Sequence, residues 1–95
     1  MIAEYYQKIE LKPISLQILQ FLYDNTHPMI AAEIAEGTGL AVRQIDAAVT
    51  KTLVRYDFAK REYRLTRVMK REYAEIRITD LGKRYIEFIN EKNNK

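Results

Sequence analysis

The chain has 95 residues, 47% hydrophobic and 31% charged, with no cysteine and a formal net charge of +3. That is one soluble domain with a modest core, without disulfides or thiolate metal sites. No apolar run approaches the ~20 residues a membrane helix needs, and the N-terminus has neither the basic start nor the apolar middle of a signal peptide, so a cytoplasmic protein is expected.

The charge is unevenly placed. Residues 1–54 carry four basic and six acidic side chains, residues 55–84 carry ten and five, and the tail is neutral. Between Lys60 and Arg71 stand six cations and one acid, Glu62. Local positive charge of this kind suits a polyanion; a merely solvated basic face is the rival explanation.

In chain order, residues 1–12 form a helical extension with Ile2, Tyr5, Tyr6 and Ile9 on one side. A helix over about 13–25 begins at Pro13, which suits a first turn. Ile14, Ile18, Phe21 and Leu22 share one of its faces, while Leu16, Leu19 and Tyr23 extend the apolar surface around it, as in a central helix. Pro28 in "THPMI" forces extended backbone, enough for a very short strand. A short helix, "IAAEIAEG", turns Ile30 and Ile34 inward and stops at Gly37. The third helix, about 41–55, has an inner stripe of Val42, Ile45, Val49, Thr52 and Leu53. Its other side carries Arg43, Gln44, Ala47, Thr50, Lys51 and Val54, with no acid, and Asp46 lies toward the flank.

The period then changes from 3.6 to 2. "YAEIRIT" alternates cleanly and "FAKREYRL" less so; paired, they make a hairpin joined by a basic connection over 64–71. Val68 and Met69 sit at its tip. A last helix over about 80–92 has Thr79 as its cap, Asp80 in its first turn and an apolar stripe of Leu81, Tyr85, Phe88 and Ile89. Residues 91–95 read as a disordered tail.

The expected fold class is α+β: a three-helix core with a two- or three-stranded wing sheet and a C-terminal helix, over residues 13–90. The stretches "IAAEIAEGTGLAVRQIDAAVTKTLVRYDFAKR" and "IRITDLGKRYIEFI" resemble the winged-helix DNA-binding domains of MarR-like and PadR-like prokaryotic regulators. Within the latter stretch, "ITDLG" is similar to the family's "LT-x-x-G" junction. Two departures stand out: Ala41 occupies the position where these proteins usually place a capping Ser or Thr, and "RYDFAK" lacks the glycine that often ends the recognition helix.

The resemblance implies double-stranded DNA as the partner. Arg43 suits guanine, Gln44 adenine and Ala47 a thymine methyl, while Thr50 and Lys51 suit phosphates. In the wing, Arg61, Arg64, Arg67, Lys70 and Arg71 are the candidate contacts to phosphates or the minor groove. Ile2, Tyr5, Tyr6, Ile9, Phe88 and Ile89 are the candidate homodimer contacts, as terminal helices form the dimer in MarR-like proteins. Rival readings are a protein–protein module of a transcription or replication assembly, and an RNA or single-strand binder using Tyr63 and Tyr73. His27 and Ser15 lack partners for catalysis, and Glu33 and Glu36 read as solvated. There is no phosphate loop or metal-ligand spacing, so neither an enzyme, a cofactor nor a small-molecule ligand is expected. The Ile-, Tyr-, Lys- and Arg-rich composition is compatible with a thermophilic archaeon.

Overall fold

The computed structural model describes residues 6–65 and 72–93. Helix α1 (Pro13–Asp24) is followed by α2 (Ala31–Thr38), α3 (Val42–Ala48), strands β1 (Ala59–Leu65) and β2 (Glu72–Ile78), and α4 (Asp80–Asn93). Beyond Ala48, α3 continues as a wider π-helical turn over Val49–Leu53. The Val54 amide there donates to the Val49 carbonyl at 2.9 Å. Such turns insert a residue into a helix.

The strands pair antiparallel, Ala59 opposite Ile78 and Leu65 opposite Glu72. The very short strand expected within "THPMI" is the single residue Met29, which bridges to Ile76 through amide–carbonyl bonds of 3.0 and 2.7 Å. This lays a third, one-residue strand beside the hairpin.

The core joins Ile18, Leu19 and Leu22 of α1, Ile34 of α2, Ile45, Val49 and Leu53 of the third helix, Phe58, Ile76, and Tyr85 and Ile86 of α4. Two stripes are rotated from their expected registers. Ile14 is exposed while Leu19 is fully buried, and in α4 the buried pair is Tyr85 and Ile86, with Leu81, Phe88 and Ile89 only partly covered. Each helix contacts more than one neighbour, so the buried sector is set by the packing rather than by the richest apolar stripe.

The glycines divide differently from the sequence expectation. Helix α2 runs past Gly37 and stops at Gly39, whose φ of 77° is the left-handed cap. Gly37 instead lies under the Phe21 ring, where a Cβ would overlap Cζ and Cε1. The glycine absent after the third helix is replaced by Asp57, at φ 63°; Asp tolerates this region better than most residues. Next to it, the Thr79 hydroxyl donates to the Asp57 carbonyl at 2.6 Å and accepts from the Gly82 amide at 3.0 Å. Thr79 thus caps α4, as expected, and also ties it to the chain entering β1. Gly82 sits so close to this join that a Cβ would overlap the Phe58 carbonyl oxygen and lie 2.9 Å from Ile78 Cγ1.

Candidate nucleic-acid interface

Helices α2 and α3 form the helix-turn-helix, and both start without a side-chain cap at the N-cap residue. Each compensates from three residues ahead. The Glu33 carboxylate accepts the Ile30 amide at 3.1 Å, and the Gln44 side-chain oxygen accepts the Ala41 amide at 2.9 Å. Only this reciprocal half of a capping box forms, because Ile30 and Ala41 carry no side-chain acceptor. The Glu and Gln three residues after each N-cap were the sequence signal for it. Gln44, read as an adenine contact, therefore has one carbonyl lone pair committed to its own helix.

All six residues expected on the outer side of the third helix, Arg43, Gln44, Ala47, Thr50, Lys51 and Val54, are exposed. The structure splits that side into two flanks. Arg43, Ala47 and Thr50 form a crest, and Asp46 lies toward the wing. On the opposite flank, Gln44, Lys51 and Arg55 face a cleft of about 950 Å³, whose other wall is the chain from Glu10 to Ser15. Ala47 reaches both. Val42, expected inward, is 44% exposed.

The wing meets the crest through Arg61. In the β register Arg61 lies opposite Ile76, and Ala59 lies opposite Ile78, so all four share the inner face of the hairpin. The Arg61 side chain cannot project to solvent from there. Its Nη1 donates to Thr50 Oγ1 at 2.6 Å, and its Nη2 donates to Asp46 Oδ1 at 3.3 Å. The side chain is 17% exposed, against 55% for Asp46, and its Nε is buried with no hydrogen-bond partner. Arg61, expected as a wing contact to DNA, is therefore spent on its own fold: it binds β1 to the third helix. The alternation "A-K-R-E-Y", in phase with "A-E-I-R-I", was the signal that could have placed it inward.

On the outer face of the hairpin, Glu62 stands opposite Glu75, a repulsive pairing. Arg77 relieves it with a 2.9 Å ion pair to Glu62. Arg64 stands opposite Tyr73 in the register. Arg67, Lys70 and Arg71 lie outside the described residues, as do Ile2, Tyr5 and the tip residues Val68 and Met69.

Two of the expected dimer contacts are taken up by the chain itself. Tyr6 is 3% exposed and packs edge-on to Tyr85, with its hydroxyl 3.4 Å from the Leu81 carbonyl. Ile9 is buried in the same core, and its carbonyl accepts the Tyr85 hydroxyl at 3.4 Å. The gap between α4 and the end of β1's approach needed aromatic filling, and the N-terminal segment supplied it. Burial raises the Tyr85 phenol above its ordinary pKa. Phe88 and Ile89 stay half-buried.

Among the described residues no group of acidic or histidine side chains is placed to hold a metal ion, and no helix is long and apolar enough to cross a membrane. No protein-family model matches the chain, and no curated protein matches it by sequence. Solved structures do. The crystal structure of RV1404 from Mycobacterium tuberculosis superposes with a TM-score of 0.74 at 18% identity, covering 98% of this chain and 58% of that one. The adhesin competence repressor AdcR from Streptococcus pyogenes gives 0.65 at 18% identity, over 93% of this chain and 62% of its own. The chain thus spans less than two thirds of either neighbour. At this identity the likeness speaks to architecture, and together with the helix-turn-helix, the hairpin and the closing helix it identifies the fold: this chain is an α+β winged helix.

Proposed function

We propose that the protein is a MarR-like, sequence-specific double-stranded DNA-binding transcriptional regulator acting in the cytoplasm. The observation that carries this reading is the join between wing and helix. Arg61 holds β1 beside an exposed crest in which Arg43, Ala47 and Thr50 carry no acid, and it pairs with Asp46 on the flank. A helix presenting small and hydrogen-bonding side chains fits the major groove, where base edges are read. Arg43 reads a guanine, Ala47 lets the helix approach, and the cations of the wing connection meet the flanking backbone or minor groove. That AdcR is by name a repressor is in keeping with this reading.

The regulator works as a homodimer, since one recognition helix reads only a half-site and half-sites recur at about 10 base pairs or a multiple. Phe88 and Ile89, half-buried on α4, are the contact surface, with Ile2 and Tyr5 of the N-terminal segment.

Selection from random duplexes, followed by fluorescence anisotropy on the selected site, tests the reading. Arg43→Ala is expected to weaken the selected site by about 1–3 kcal/mol, roughly 5- to 150-fold, and random duplex hardly at all. Equal affinity for single strands or RNA refutes it. A two-fold symmetric site and a 22 kDa species, twice the 11.2 kDa chain, are expected from sedimentation.

A further inference from the structure

We propose that the cleft on the flank of the third helix away from the wing receives a phosphodiester strand of the bound DNA. The inference rests on the functional reading above and names a contact surface that reading does not include. A helix with its side chains is ~10–12 Å across and the major groove is ~12 Å wide, so both walls of the groove pass close to a docked helix. The wing lies along one flank. The other wall must run over Lys51 and Arg55, and hence over the cleft they share with the chain at 10–15.

The chemistry of the cleft suits that strand. Lys12, Lys51 and Arg55 line it against one carboxylate, Glu10. All three cations are exposed, and none has an ion-pair partner among the described residues. Cations left unpaired on a concave surface favour an anion. Ser15 also lines the cleft. It is only 4% exposed. The Ser15 hydroxyl adds a donor to the two cations Lys12 and Arg55 on the same lining, a set that suits a phosphate oxygen. Ile14, 37% exposed at the edge of the cleft, offers an apolar rest for a deoxyribose. The footprint of the protein would then reach from the wing across the groove to the start of α1, with Lys12 and Ser15 as backbone contacts and Arg43 and Ala47 between.

The test uses the full chain and its selected duplex. Lys12→Ala and Arg55→Ala are each expected to lower the slope of log affinity against log salt by about one, and to weaken selected and random duplexes alike by roughly five- to tenfold at 0.1 M salt. Ser15→Ala is expected to weaken both duplexes with the slope unchanged, because it removes no charge. Ethylation interference is expected on two strands, one on each side of the groove. Melting temperatures within about 2 °C of wild type for the two exposed cations exclude a folding effect.

Slopes unchanged in both cation variants, while Arg43→Ala still behaves as expected, overturn this inference and leave the functional reading standing. Loss of all duplex preference in the wild type overturns both. Octanoate binding in the cleft at micromolar concentration, with the salt slopes of the variants unchanged, identifies a small-molecule site and overturns the proposal as well.

Discussion

Arg61→Met keeps the aliphatic stem and removes the guanidinium that joins wing to third helix, so it isolates that join. The 2.6 Å bond to Thr50 involves a charged donor that is 17% exposed; bonds of this kind contribute about 1.5–3 kcal/mol. The Asp46 pair contributes less, about 0–1 kcal/mol, because that carboxylate is 55% exposed. Against these stands the buried Nε without a partner, whose removal returns about 1–3 kcal/mol. The balance is a destabilisation of about 1 kcal/mol, or ~4–8 °C in melting temperature for a domain of this size. Thermal unfolding followed by circular dichroism measures it. A double-mutant cycle with Asp46→Asn is expected to show coupling of about 0.5 kcal/mol. On DNA, the variant should lose affinity for the selected site while its salt slope stays at the wild-type value, because the cation it lacks was turned onto its own chain. A slope lower by about one would mean that Arg61 neutralises a phosphate, and would refute the positioning role.

Gly82→Ala is expected to destabilise by about 2 kcal/mol, lowering the melting temperature by ~8–16 °C, since its Cβ meets the Phe58 backbone and Phe58 is fully buried. Gly37→Ala, checked in the same scans, should change stability by less than about 1 kcal/mol, because only the far end of the Phe21 ring must swing aside and the helix gains from alanine. Asp57→Ala should cost about 1 kcal/mol in denaturant unfolding and Asp57→Gly should be near neutral, as the position requires a left-handed backbone. The raised Tyr85 phenol favours the folded state while it stays protonated. That contribution is complete below the ordinary value of about 10 and is lost as pH rises through the folded value, so wild type should lose stability faster than Tyr85→Phe as pH rises above about 10.

Much of the architecture was legible in the chain because it rests on local rules. The period of 3.6 in "AVRQIDAAVTKTLV" and of 2 in "YAEIRIT" marked the third helix and a wing strand. Thr79 was readable as a cap, and "THPMI" as a break with room for a very short strand. The six exposed positions on the third helix followed from the same wheel that hid Ile45, Val49 and Leu53. These features need only the spacing of neighbours along one element.

The rest depended on what lies across from each element. Gly39, with its left-handed φ, ends α2, while Gly37 lies inside the helix under the Phe21 ring of α1. Whether Tyr6 faces a partner or its own core is decided by a space beside Tyr85. Arg61 belongs by composition to a cationic cluster, yet the hairpin register turns it inward and the nearest acceptors are Thr50 and Asp46. The residues alone determined that there would be a bare helical crest and a cationic hairpin. Only the tertiary structure decided that one arginine would be withdrawn to fasten them together, and that Lys12 would stand across a cleft from Lys51 and Arg55. The reason is that a charge count is additive along the chain, whereas the partner of each charge is set by distances between segments far apart in sequence.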